Sequence, residues 1–239
     1  MKISKFTYEN PDSDGDIRLD AEIVIENTSD FDAELVKVSC TVLNSSGVTV
    51  GGDVSDFEDV FINPKSSENI DLHLGWGYHK ELFEGKPDKM TLLIEATTYK
   101  RDFVKIGSLE MPEIGELGMI KKNISLGGLA EIRGISALRK KDDDEGDIEL
   151  EIKAGFRNIS DTHIERAQLT SKLIDQRDAE IESNEDYNPV PSKSGYLFTP
   201  SFYGVKGAKA KNSEIKFTAS IFVPMDTFTA EATATLSDD

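Results

Sequence analysis

Short runs in which apolar and polar residues alternate occur along the whole chain. In the clearest run, 16–27, every second residue from Ile17 to Ile25 is apolar. This period of two is typical of β-strands with one buried face. Clusters of Gly, Pro, Asn, Asp and Ser separate the runs, so the pattern predicts an all-β fold. The predicted strands lie near 2–9, 16–27, 34–44, 48–52, 68–76, 90–99 and 103–110, and then near 131–141, 147–157, 164–174, 179–182, 195–203, 214–223 and 227–237.

The second half of the sequence repeats the first with an offset of 131 residues. Without gaps, residues 15–44 and 146–175 share eight identities, where ordinary residue usage gives about two by chance. One shared feature is an Asn-x-Ser-Asp motif that begins at Asn27 and again at Asn158. We therefore expect two related domains. The predicted organisation is a first domain 1–112, a linker 113–129 with room for one extra strand, and a second domain 130–239.

About seven strands in each half, at regular spacing, predict two tandem immunoglobulin-like (fibronectin-III-like) β-sandwich domains. The turn motifs at 27–29, 44–47 and 64–67 resemble those of bacterial FxLYD and related fibronectin-III-like Ig-fold sandwich domains. The second half has similar motifs at 158–160 and 191–194, whereas the Leu-Tyr-Asp signature of FxLYD domains is missing. The resemblance implies a non-enzymatic accessory or binding module, and it transfers no ligand residues to this chain.

The net charge of the chain limits the classes of partner that it can bind. Its 239 residues include 27 Lys and Arg and 45 Asp and Glu, which gives a formal net charge of −18. Such a chain repels a phosphate backbone, so we expect no nucleic acid as partner. No apolar run reaches the roughly 20 residues that span a bilayer, and the first residues lack a signal-peptide core. We expect no membrane insertion, and by default a cytoplasmic or virion component.

Acidic loops connect the first two predicted strands of each half. Their carboxylates alternate around a glycine, and calcium prefers six to eight such oxygen ligands. The EF-hand pattern is absent. Two interpretations stay open, a solvated hairpin tip that requires no cofactor and a Ca²⁺ site. The candidate metal ligands are Asp12, Asp14 and Asp16 in the first half and Asp143, Glu145 and Asp147 in the second.

Two other segments are candidate partner or ligand surfaces. Trp76 and Tyr78 stand among glycines, where aromatic rings either stack on sugar rings or close the core of a sandwich. Lys206, Lys209 and Lys211 form a basic stretch in an acidic chain. Such a stretch suits head-to-tail docking on another subunit, and the alternative is a solvated loop.

The motif search predicts that the protein is not an enzyme. The sequence has no nucleophile elbow, no His-Glu-x-x-His, no Cys-x-x-Cys and no phosphate-binding glycine loop. The leading hypothesis is a non-catalytic structural, assembly or protein-binding module that presents β-sandwich surfaces to a protein partner or to itself, as a homo-oligomer or filament. The second hypothesis is a calcium-stabilised carbohydrate-binding module. The single cysteine, Cys40, lies on an apolar strand face and is expected to be buried.

Overall fold

The structure, a computed structural model, describes residues 1–58, 60–143, 146–202 and 204–237, without the side chains at 52–58 and 75–77. The all-β prediction is confirmed, since 63% of residues are in strands and 5% in helices, and several sheets form a sandwich-like arrangement. Short 3₁₀ turns occupy Lys80–Phe83 and Pro87–Lys89, and the helix α1 is Gly207–Ala210. The strands are β1 Lys2–Tyr8, β2 Asp16–Glu26, β3 Leu35–Leu43, β4 Thr49–Glu58, β5 Ser67–His79, β6 Thr91–Glu110, β7 Leu117–Leu126, β8 Ala130–Arg139, β9 Leu150–Asn158, β10 Ile164–Ile174, β11 Glu180–Val190, β12 Gly195–Phe198, β13 Glu214–Thr233 and β14 Thr235–Leu236.

The chain forms two compact units. Unit 1 comprises Met1–Lys100 and Pro224–Asp239, and unit 2 comprises Arg101–Val223. The first half of β6 therefore belongs to unit 1 and its second half to unit 2. In β13 the first half belongs to unit 2 and the second half to unit 1. Unit 1 thus contains the end of β13 and all of β14 from the second repeat, and unit 2 contains the second half of β6 from the first repeat.

This division differs from the predicted domains 1–112 and 130–239 for a local reason. The prediction placed a turn between strands 90–99 and 103–110, but β6 continues without interruption from Thr91 to Glu110. The sequence 91–106 contains no Gly, Pro or Asn, which are the residues that tight turns favour. A chain that does not turn back cannot pair its next segment with the preceding one, so the segment enters a different unit.

Unit 1 has two sheets around its own apolar core. One sheet has the order β14-β1-β2-β5, and the strands of the other that fall in this unit follow the order β13-β6-β3-β4. Strand β14 pairs with β1 in parallel, and β2 pairs with both β1 and β5 antiparallel. Along β2 every second residue is buried, as a strand with one face on a core requires. Large buried members of this core include Ile17, Leu19, Ile23, Ile25, Ile62, Phe83, Met90 and Leu92.

Unit 2 repeats this layout and adds an edge strand. Its sheets have the orders β12-β9-β8-β7 and, within the unit, β11-β10-β13-β6. The extra strand expected in the linker 113–129 is β7, which pairs with β8 at the edge of its sheet. The pairing shifts register between Ile120 and Asn123, opposite Gly134, whose φ is +96°. Such a bulge bends the two strands locally. The core of unit 2 includes Ile106, Leu126, Phe156, Phe198, Ile215 and Phe217.

Candidate functional site

The acidic loops of the two repeats are tight turns that their own carboxylates close. In the first repeat the backbone N–H groups of Asp14 and Asp16 donate to Asp12 Oδ1 at 2.9 and 3.0 Å. In the second repeat the N–H of Asp147 donates to Asp143 Oδ1 at 2.8 Å. An Asp side chain that accepts backbone N–H groups in this way stabilises a turn. Turn geometry alone therefore explains why Asp12 recurs as Asp143.

The other repeated aspartates of these loops contact the side-chain nitrogens of a histidine and a lysine. Asp16 Oδ1 lies 3.0 Å from Nδ1 of His79, and Asp147 Oδ1 lies 2.8 Å from Nζ of Lys206. Glu145 lies outside the described residues. Within 1–58, 60–143, 146–202 and 204–237, no three His, Cys, Asp or Glu side chains are grouped so that they could hold a metal ion. The Ca²⁺ site remains a prediction from the sequence.

The aromatic segment is packed where the structure describes it. The ring of half-buried Tyr78 makes an edge contact with the buried ring of Phe83, and its hydroxyl donates to the carbonyl of Leu74 at 2.7 Å. A Cβ atom added at Gly51 would collide with the Tyr78 ring, so the glycine provides the space that the ring occupies. The side chain of Trp76 lies outside the described residues. Tyr78 therefore contributes to the packing of unit 1.

The three lysines of the basic stretch have different surroundings. Lys206 pairs with Asp147 and forms an isolated β-bridge with it, so it holds the acidic loop against the start of α1. Lys209 is exposed within α1. Lys211 is exposed beyond α1 and lines a groove together with Glu110 and other residues of unit 2. The first lysine has a structural role, and the other two are available to solvent.

A site that the sequence did not predict lies on the sheet β12-β9-β8-β7 of unit 2. It is an open groove of about 680 Å³, hereafter the cationic groove. Its described lining contains four cationic side chains and no carboxylate or aromatic ring. Met119, Ile120 and Leu197 supply aliphatic surface. The four cations are Lys121, Lys122, Arg133 and Lys153.

Two of these cations have acidic neighbours on the same strand. Arg133 Nε lies 3.2 Å from Glu131 Oε2, and Lys153 forms an ion pair with Glu151. The hydrogen bond from Lys153 holds the pKa of Glu151 below its usual range. For Lys121 and Lys122, no ion pair is found with any residue that the structure describes. The groove thus has an excess of positive charge in a chain whose net charge is strongly negative.

A pair of buried asparagines explains much of the sequence repeat. Asn27 Nδ2 donates to the carbonyls of Phe31 and Ile62 at 2.7 and 2.9 Å, and its Oδ1 accepts from Ser29. A third, longer bond of 3.3 Å joins Asn27 Nδ2 to the carbonyl of Asn63. Asn158 Nδ2 makes the three corresponding bonds to carbonyls of unit 2, at 2.8, 3.1 and 3.1 Å. A buried amide with all its hydrogen bonds satisfied fixes the loops that it joins. The Asn-x-Ser motif is therefore an internal brace of each unit.

The single thiol is enclosed by unit 1. Cys40 is buried, as predicted. Burial raises the pKa of its thiol from 9.0 to about 11. Because the thiolate is the nucleophilic form, this thiol is unreactive at neutral pH.

Fold and surfaces define an all-β, sandwich-like protein in which each repeat carries the same turn and brace chemistry. No family model and no curated protein matches the chain. In the described part, no helix is both long and apolar enough to cross a bilayer.

Several solved structures have low similarity to this chain. A protein from Archaeoglobus fulgidus is 11% identical over 41% of this chain and 81% of its own, with a TM-score of 0.24. The structure of pT26-6p is 6% identical over 98% of this chain and 62% of its own, with a TM-score of 0.29. The C-terminal globular domain of an oligosaccharyltransferase from Pyrococcus abyssi is 11% identical over 96% and 46%, with a TM-score of 0.21. We draw no functional conclusion from similarity at this level.

Proposed function

We propose that this chain is a non-catalytic structural or protein-binding module made of two immunoglobulin-like, fibronectin-III-like sandwiches. In each unit, the strand order supports the Ig-like assignment. Unit 1 combines β1-β2-β5 with β4-β3-β6-β13, and unit 2 combines β8-β9-β12 with β11-β10-β13-β6. Sandwiches of this class place strands A, B and E in one sheet and strands C′, C, F and G in the other. In unit 1 these letters correspond to β1, β2 and β5 and to β4, β3, β6 and β13.

The observation that carries the binding role is the exposed edge of unit 2. Strand β7 has β8 on one side and ends its sheet on the other. It also exposes two large apolar side chains, Leu117 and Met119, whose exposed fractions are 55% and 47%. An edge strand offers unpaired backbone donors and acceptors, and exposed apolar side chains beside it add area for a partner. This edge supports a contact with another protein or with a second copy of the chain.

The chemistry of the thiol supports the non-catalytic part of the proposal. Cys40 is the single cysteine, and its raised pKa keeps it protonated at neutral pH. A nucleophilic cysteine requires a lowered pKa and access to solvent. This side chain therefore serves the core of unit 1.

Edge variants of the full chain test the proposed function. The wild type is expected to form oligomers in mass photometry and sedimentation velocity, or to retain a defined protein in affinity capture. Leu117→Lys is expected to weaken that association, because it places a charge where apolar contact is buried, and Leu117, unlike Met119, does not line the cationic groove. Phe103→Lys is the matched control, since Phe103 is 64% exposed in unit 2 but lies on β6.

Two results would overturn the proposal. One is a chain that stays monomeric at its highest soluble concentration and retains no protein in capture experiments. The other is an equal loss of association in Leu117→Lys and Phe103→Lys, because the effect would then follow from surface charge and not from the edge of β7.

A further inference from the structure

We propose that the cationic groove of unit 2 binds an acidic, extended segment of a partner protein. This inference rests on the proposed function as a protein-binding module, and it names the chemistry of the partner. Four positive side chains without a carboxylate in the described lining are complementary to Asp and Glu side chains. Complementary charge of this kind gives an interface its specificity and speeds association.

Protection of the sheet edge, a simpler explanation, accounts for only two of the four cations. Lysines on an edge strand commonly prevent edge-to-edge aggregation, and Lys121 and Lys122 on β7 fit that role. Arg133 and Lys153 lie on β8 and β9, which are inner strands with a partner on both sides. Protection of the sheet edge does not require charges on these inner strands. Arg133 and Lys153 each pair with a glutamate on their own strand, and their place on the same groove as the β7 lysines, which are unpaired within the described residues, supports a binding surface.

The shape and lining of the groove favour a peptide over other anions. The groove runs over four neighbouring strands, and its aliphatic side chains can pack against apolar side chains of an extended segment. Its described lining lacks the aromatic rings on which single-stranded nucleic acids stack their bases. A net charge of −18 also repels long polyanions and anionic membranes. A short acidic segment experiences much less of that repulsion.

The first repeat lacks the groove chemistry although it shares the fold. At the offset of 131 residues, Lys153 corresponds to Glu22, and Gly155 corresponds to Val24. The charge is thus reversed, and a side chain occupies the place of the glycine. The groove is therefore a property of unit 2 and not a by-product of the duplicated sandwich.

Fluorescence anisotropy with a defined probe tests the inference on the full chain. The probe is a short fluorescein-labelled peptide in which glutamate alternates with leucine. We expect saturable binding that weakens as salt rises. Lys153→Glu, which installs the residue of the first repeat, and the double variant K121E/K122E are each expected to weaken binding about tenfold or more. Lys105→Glu is the matched control, because it makes the same charge change on an exposed lysine of unit 2 outside the groove, and it is expected to bind like the wild type.

Each remaining outcome counts against the inference. Absence of saturable binding overturns it, and so does an equal loss of affinity in Lys105→Glu. Equal or tighter binding of a labelled oligothymidine or of phosphatidylserine vesicles would show a general anion surface. Thermal unfolding verifies that each variant is folded, and K121E/K122E provides the test if the new carboxylate of Lys153→Glu destabilises the sheet beside Glu151. Because the probe is not a copy of the chain, failure here leaves the edge-variant test of the proposed function intact.

Discussion

The division of the chain into units makes a sharp prediction about Ile106. This side chain is 7% exposed and belongs to the core of unit 2, although it lies within the predicted first domain 1–112. Ile23 is fully buried in the core of unit 1, which also contains Cys40. Ile23→Ala should therefore open the environment of Cys40, and Ile106→Ala should not.

The size of the effect follows from the burial of the two side chains. Truncation of a buried Ile to Ala typically costs about 2 to 5 kcal/mol. Each 1.4 kcal/mol changes an opening equilibrium about tenfold, so Ile23→Ala should accelerate thiol labelling of Cys40 about 30-fold or more. Ile106→Ala should destabilise unit 2 by a similar amount and leave the labelling rate within about twofold of the wild type.

The assay is the rate at which a thiol reagent labels Cys40 in native buffer. The native thiol is buried and protonated, so labelling at neutral pH reports opening of unit 1. Phe228→Ala supplies a third arm, because Phe228 lies in the predicted second domain but packs on the core of unit 1; it should accelerate labelling. Equal acceleration by Ile106→Ala and Ile23→Ala would refute the reasoning, since both residues would then stabilise one cooperative core.

Three further predictions concern individual groups. Burial raises the pKa of the Cys40 thiol from 9.0 to about 11, so between pH 9 and about 11 the unfolded state binds fewer protons than the native state. The free energy of unfolding should therefore fall by about 1.4 kcal/mol per pH unit as the pH rises through this range. Urea unfolding of Cys40→Ala should lack that part of the pH dependence. Asn158→Ala should cost about 2 to 4 kcal/mol, because it removes three hydrogen bonds to buried or half-buried carbonyls, and only its counterpart Asn27→Ala should accelerate labelling of Cys40. Asp12→Asn should keep the midpoint of thermal unfolding, and Asp12→Ala should lower it, because the turn needs an acceptor oxygen and not a charge. Both results should be the same with calcium and with a chelator. A calcium-dependent rise of the midpoint that both variants abolish would instead support the metal site.

The strands were predictable because one physical constraint acts locally along each of them. A strand that covers a core must bury every second side chain, and β2 shows that pattern from Ile17 to Ile25. The turn motifs were predictable for a similar reason, since Asn, Asp and Gly satisfy or permit turn backbones over a few residues. Asn44 is an example, because its side chain accepts the N–H groups of Ser46 and Val48.

The exchange of strand segments between the units was not predictable from the pattern of alternation. The alternation of 103–110 indicates a strand with a buried face, but it does not say which core that face covers. The available signal is an absence, namely that residues 91–106 contain no Gly, Pro or Asn, and Asp102 is the one turn-favouring residue between the two predicted strands. In the second repeat the sequence predicted two strands, near 214–223 and 227–237, and the structure joins them through Pro224 into the single strand β13.

The cationic groove was missed because its members are distant in sequence. Lys121, Arg133 and Lys153 are brought together by the antiparallel register of β7, β8 and β9. Register depends on the bulge at Gly134 and on pairing across loops, and no local pattern determines it. The adjacent pair Lys121-Lys122 gives no sign of the cations on β8 and β9, and the sequence analysis selected the stretch 206–211, whose first lysine forms an ion pair with Asp147.

The repeat itself separates what the fold needs from what one unit adds to it. Identities between the halves coincide with groups that stabilise turns and loops, such as Asn27 with Asn158 and Asp16 with Asp147. Loss of either asparagine would leave buried carbonyls without partners. Surface positions carry no such constraint, so they diverge freely unless a partner selects them. Lys153 replaces the Glu22 of the first repeat and lies beside three other cations. We therefore expect a function specific to unit 2 at this position.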